Sequence, residues 1–175
     1  MAKTNGQGKG EEKPVVVIGG FDDLPARNKT VFIEMDDKRF FLERLVNEQE
    51  HSRILVFVRT QVRAERVAKA LERAGIHSET IHGGKEQADR LKVLEAFKKG
   101  DTRILIATDV SARGIDIQGV EYVVNYDLPE QPENYVHRVG RTGRGGKKGH
   151  AVAFCSKEEK PLLLDIEDYI GAKVD

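Results

Sequence analysis

Apolar positions along this chain keep two rhythms, and the rhythms alternate. Unbroken runs of strand length stand at Arg53 to Val58 (RILVFV), Arg103 to Ala107 (RILIA) and Tyr122 to Tyr126 (YVVNY). Such runs suit strands buried on both faces, as in a parallel sheet. Shorter strands are predicted at Thr30 to Glu34, where Val31 and Ile33 alternate, at Ser78 to Ile81 and at Ala151 to Phe154. Between them the period lengthens to that of a helix. Asp36 and Asp37 are placed to cap a helix running to about Glu48. Gln61 to Ala74 sets Val67, Ala70, Leu71 and Ala74 on one face, with Gly75 placed to end it. Lys85 to Lys99 is predicted to turn Leu91, Leu94 and Phe97 inward, closed by Gly100. A short helix follows Pro132, and a last one covers about Glu158 to Ile170. This alternation builds βαβ units, so the fold class is α/β: a mostly parallel sheet with helices on both faces. Ligands of such sheets sit beyond the carboxyl ends of the strands.

Residues Met1 to Lys13 carry Gly, Lys and Glu without apolar periodicity. Pro14 to Thr30 holds one short apolar run, PVVVIGG, and no firm element is assigned there. The expected division is a partly disordered N-terminal linker over residues 1–29 and one domain over 30–175.

Composition narrows the class. Hydrophobic residues make up 39% and charged residues 33%, as in a globular domain rather than a disordered or membrane-embedded one. No apolar run approaches the length that spans a bilayer, and the first residues lack an apolar signal core, so the expected location is cytoplasmic, without membrane contact. The single Cys155 excludes an internal disulfide framework and fits a reducing compartment; in an apolar strand it reads as a buried structural thiol. The five histidines show no i,i+3 or i,i+4 pairing, so no metal site is expected. Net charge is zero, from 29 basic and 29 acidic residues, which argues against gripping nucleic acid by bulk charge. The basic residues are nevertheless bunched: Arg138, Arg141, Arg144, Lys147 and Lys148 fall between His137 and Lys148 with no acid among them.

Four runs could carry chemistry. In His137 to Arg144 (HRVGRTGR), Arg141 and Arg144 are three apart and would share a face on a helical turn. Guanidinium forks bind phosphate oxygens bidentately and can stabilise a transferring γ-phosphoryl group; a solvated basic turn is the plainer reading of an isolated RxxR. The run ATDVSARGID follows the RILIA strand, where Thr108 offers a hydroxyl to a backbone phosphate, Gly114 an unshielded amide and Asp116 a carboxylate for ribose hydroxyls. Capping or turn formation is as good a reading of each residue alone. In His82 to Arg90 (HGGKEQADR), amides of Gly83 and Gly84 near a helix start make a phosphate site, and Gln87 and Arg90 could face one nucleic-acid strand. Thr60, in VFVRT, ends a buried strand, where a simple helix cap competes.

Taken together, these runs resemble the C-terminal RecA-like domain of DEAD-box ATP-dependent RNA helicases, of a bacterial type. HRVGRTGR looks like motif VI, ATDVSARGID like motif V, QADR like the Q-x-x-R helix and VFVRT like motif IV, in family order from about Thr30 to Val174. The resemblance implies a RecA-like three-layer sandwich. It implies that Arg141 and Arg144 contact ATP phosphates and act catalytically, and that Gly114 and Asp116 lie beside the ribose and phosphates. Thr60, Gly83, Arg90 and Thr108 would hold the RNA backbone, and His137 would link the two sides. Departures from the pattern are Gly84 where Asp is frequent, Glu86 where Ser or Thr is common, and Val58-Arg59 where Cys-Asn is frequent.

The chain has no G-x-x-x-x-G-K-[ST] loop and no Asp-Glu-Ala-Asp run. The family keeps both in its N-terminal RecA-like domain, which is therefore the implied partner, along with RNA and ATP; Mg²⁺ would be held by that other domain. The chain alone is expected to lack ATPase activity. Two other functions fit fewer residues: a stand-alone RNA-binding or partner-docking module, and a DNA helicase domain of the same superfamily. With no Trp and few aromatics, base stacking is not indicated, and contact would run to the backbone.

Overall fold

A computed structural model describes residues 14–17, 26–32, 37–109, 117, 119–142 and 149–171. Its strands are β1 (Pro14–Val17), β2 (Ala26–Phe32), β3 (Ile54–Phe57), β4 (Glu79–Ile81), β5 (Ile104–Ala107), β6 (Tyr122–Asn125) and β7 (Gly149–Cys155). The helices are α1 (Lys38–Glu48), α2 (Gln61–Arg73), α3 (Gln87–Lys99), α4 (Pro132–Val139) and α5 (Lys160–Ile170), with a 3₁₀ turn at Lys157–Glu159 leading into the last. The seven strands form one sheet in the order β1-β2-β7-β6-β3-β5-β4. All neighbours run parallel except β1, which pairs antiparallel with β2 at the edge. The mostly parallel α/β sheet expected from the alternating rhythms is the observed one.

Side-chain alternation assigns the layers, because successive residues of a strand face opposite sides. Ile54 and Val56 of β3, with Ile104 and Ile106 of β5, pack under Leu42 and Val46 of α1 and Val67 and Leu71 of α2. Leu55, Phe57, Leu105 and Ala107 face the other way, onto Val93 and Phe97 of α3. On that same side, Ala151, Ala153 and Cys155 of β7 meet Tyr135 and Val139 of α4 and Leu163 and Ile166 of α5. The result is three layers, with one core cluster under α1 and α2 and two on the opposite side of the sheet.

Several expectations need correction. The first two strands bring residues 14–17 and 26–29, where no element was assigned, into the sheet. Helix α3 begins at Gln87, not Lys85, since the Lys85 amide closes a turn on the His82 carbonyl. Leu91 is 55% exposed rather than inward; the buried stripe is Val93 and Phe97, with Leu94 at its margin. At 100° per residue, the spacing of three from Leu91 to Phe97 drifts about 120° around the helix. Asp37 stands at the start of α1 without a capping bond from its side chain; Asp36 lies outside the described residues. The expected ends Gly75 and Gly100 both have positive φ, +80° and +88°, which a residue without Cβ adopts at no steric cost.

Candidate functional site

Three neighbouring strands end level. Phe57 of β3 and Ile81 of β4 both lie opposite Ala107 of the intervening β5. Beyond that row the chain reaches Thr60, Gly83 and Thr108, three of the residues singled out from sequence. Thr60 is the N-cap of α2, its hydroxyl accepting the Arg63 amide at 3.2 Å. Gly83 is exposed and Thr108 is 7% exposed. Arg90, in the first turn of α3, donates to Gln87 at 2.7 Å, so this pair is held together on one helix face. The Gly84 amide is not free for a phosphate. It donates to His82 Nδ1 at 3.1 Å, which leaves the hydrogen of that ring on Nε2, directed at Glu65 at 2.7 Å. Glu65 also accepts from Thr80. Burial would raise the Glu65 carboxyl, but the bonds from His82 and Thr80 outweigh it and hold it below its ordinary range.

The HRVGRTGR run leaves α4 midway. His137 is an exposed residue of the last turn of α4, and the helix ends at Val139. Arg141 lies in the turn beyond, half-buried, with its guanidinium 3.5 Å from the Ile117 carbonyl. Thr142 then bridges to Val120 in parallel pairing, and its hydroxyl donates to the Val120 carbonyl. The helical spacing considered for Arg141 and Arg144 is thus not continued by α4. Arg144, Gly114 and Asp116 lie outside the described residues.

In the sequence Arg138 is one charge of a basic run; in the fold it has a different place. It is 2% exposed and points inward. Its Nε and Nη2 donate to the two carboxylate oxygens of Asp109, each at 2.7 Å, while Nη1 donates to Asn125 Oδ1 at 2.8 Å and the Asp127 carbonyl at 2.7 Å. The guanidinium also lies over the Phe57 ring, 4.9 Å from its centre. The signal was in the helix period: Tyr135, Arg138 and Val139 occupy one buried stripe of α4, and a cation in such a stripe requires a carboxylate facing it. Asp109, directly after Thr108, supplies it.

The comparisons with known proteins decide the family. Residues 37–146 match the model of the helicase conserved C-terminal domain. In solved structures, the chain is similar to the Escherichia coli DEAD-box protein SrmB, crystallised with regulator of ribonuclease activity A: 35% identity, TM-score 0.77, covering 82% of this chain and 85% of that one. The chain belongs to the C-terminal helicase domain family of DEAD-box proteins. Among curated proteins, the DEAD-box ATP-dependent RNA helicase CshA of Bacillus cereus is 45% identical over 146 residues, or 82% of this chain. The chain spans 28% of that relative's length. Saccharomyces cerevisiae Dbp5, solved with RNA and ADP BeF3, shares 33% identity at a TM-score of 0.76, covering 86% of this chain and 40% of that one.

A second charged cluster in this DEAD-box domain was not found from sequence. Lys38 is fully buried at the start of α1, with its ammonium 3.1 Å from Asp127 and 2.7 Å from Glu159. Asp127 also accepts both arms of Arg63, at 2.7 and 2.8 Å, and the Arg59 amide at 2.9 Å. Burial alone would raise the Asp127 carboxyl; the Arg63 fork and the Lys38 ammonium outweigh it and lower it. Among the described residues, no three or more His, Cys, Asp or Glu side chains gather as metal ligands, and no helix is long and apolar enough to cross a membrane.

Proposed function

We propose that this chain is the C-terminal half of a cytoplasmic ATP-dependent RNA helicase. It would act by closing with an N-terminal RecA-like domain of the same protein over ATP and RNA. Arg141 and Arg144 stabilise the phosphates, and Gly114 and Asp116 take the ribose side. Thr60, Gly83, Arg90 and Thr108 hold the RNA backbone. The observation that carries the reading is the Arg138 fork. It ties α4, which presents His137 and leads to Arg141, to Asp109, the residue next to Thr108. Arg141, assigned to the nucleotide, and Thr108, assigned to the RNA, are therefore joined through one hydrogen-bonded unit that also carries His137 on its helix. Binding of either ligand biases the same closed state, which is a coupling of two sites through one equilibrium.

The charge chemistry fits half a nucleotide site. Arginines suit phosphate oxygens and repel a divalent cation, so Mg²⁺ and the phosphate-loop lysine fall to the partner domain. The relatives named as RNA helicases and the RNA-bound Dbp5 support RNA as the substrate class. Mixing the chain with a matching N-terminal domain should restore RNA-stimulated ATP hydrolysis, whereas the chain alone should show none. Arg144→Ala and Arg141→Ala should each reduce the restored rate by about 10³. Full activity in both variants would overturn the assignment.

A further inference from the structure

Between α1 and α2, on the sheet face opposite α3, lies a groove of about 320 Å³ that no site residue above uses. Its walls carry Arg39, Arg63, Arg66, Lys69 and Arg73, and Tyr126 lies in its lining. Arg63 is spent on Asp127. Among the described residues, the other four cations make no ion pair. The carboxylates of these helices are engaged elsewhere or outnumbered. Glu65 is bound by Thr80 and His82, Glu48 lies beside Arg44, and the two that remain, Glu43 one turn beyond Arg39 and the exposed Glu72, face four cations. Four unpaired cations along a concave strip make a site for repeated negative charge.

Position and lining select the occupant. Helix α2 begins just after its N-cap Thr60, so the groove, which starts at Arg63, lies one turn from the strand-end row and follows the helix to Arg73. From Arg63 to Arg73, at 1.5 Å per residue, that is about 15 Å, the length of about four stacked nucleotides at 3.4 Å each. The apolar lining offers no anchor to a protein: Val67, Ala70 and Tyr126 are 5%, 8% and 6% exposed. The Tyr126 ring is flanked by Arg63 and Lys38, which leaves the phosphodiester rather than the base as the recognised group. We infer that the α1–α2 groove binds the phosphodiester backbone of a single-stranded RNA segment that continues past the strand-end site. This rests on the RNA reading proposed above and extends its path.

The test compares single-stranded RNAs of about 6 and about 15 nucleotides, binding the 175-residue chain by fluorescence anisotropy at several salt concentrations. The triple variant Arg66→Gln/Lys69→Gln/Arg73→Gln alters three exposed side chains that make no ion pair among the described residues, so its thermal midpoint should match the wild type. It should bind the longer RNA about 10- to 100-fold more weakly, and its salt slope should shrink by about 2. Binding of the shorter RNA should be unchanged. Lys69→Glu alone should give a smaller loss in the same direction. Equal affinity of variant and wild type for the longer RNA would overturn the groove while leaving the strand-end site standing. No binding of either RNA by the wild type, even when mixed with a matching N-terminal domain and a non-hydrolysable ATP analogue, would instead overturn the RNA reading itself. Displacement of a bound polyglutamate peptide from the groove without any effect on RNA would also overturn the proposal.

Discussion

Two buried cations stand at the carboxyl edge of the sheet, and they are built differently. Arg138 is one cation facing one carboxylate, with its remaining donor shared between Asn125 and a backbone carbonyl. Its carboxylate partner, Asp109, is the residue after the candidate ligand Thr108. Lys38 sits where two carboxylates are shared by three cations, and its partners connect α1, α2, the end of β6 and the turn before α5. The first arrangement aims a few groups; the second ties the helices of both layers to the sheet. The same physics, a desolvated charge that must be paired, thus serves orientation in one place and architecture in the other.

Breaking the second should cost the most stability. Lys38→Met leaves Asp127 and Glu159 without their shared ammonium and should lower stability by about 3–5 kcal/mol in urea unfolding. Per folded molecule, the ATPase reconstituted with an N-terminal domain should stay within about twofold. Breaking the first should invert that pattern. Arg138→Lys keeps the charge but loses the fork, with an expected stability loss of about 2 kcal/mol and a fall in reconstituted ATPase of about 10². An unimpaired rate would show that the fork does not orient the site.

Acid sharpens the contrast. Because the Asp127 carboxyl is held below its ordinary value, the folded state binds fewer protons than the unfolded one near the ordinary value of about 4. Its contribution to stability is present above that pH and is lost as pH falls through the folded value. Wild-type unfolding free energy should therefore decline more steeply from about pH 5 to about pH 3 than that of Asp127→Asn. Parallel slopes would contradict the pairing. The smallest effect concerns Cys155. Burial pushes its thiol up to about 12, so a thiol reagent at about pH 8 should label it only on unfolding.

The sheet was largely legible in the sequence because β3, β5 and β6 are short apolar runs with turns at both ends. The edge was not. PVVV at residues 14–17 lacks a helix-sized neighbour to mark a βαβ unit, and its antiparallel pairing with β2 depends on contacts that local pattern does not carry. At the site, Thr60, Gly83 and Thr108 could be picked from their places after strands, but not the level ending that aligns them, which is a matter of register. The Gly84 amide looked available because its acceptor is the ring of His82 two residues back, a bond that depends on the ring's rotamer. Arg138 escaped notice because a charged residue in a basic run suggests solvent, while its true partner, Asp109, is 29 residues away in sequence.

The level ending of β3, β5 and β4 has a consequence for what such an edge can discriminate. Neighbouring strands are about 4.8 Å apart, so the loops leaving them act like teeth of a comb with fixed pitch. A comb engages whatever repeats along its length and ignores what hangs off each repeat. Contacts spaced by the sheet itself would accept any base order and respond chiefly to whether the strand lies straight or bent across them.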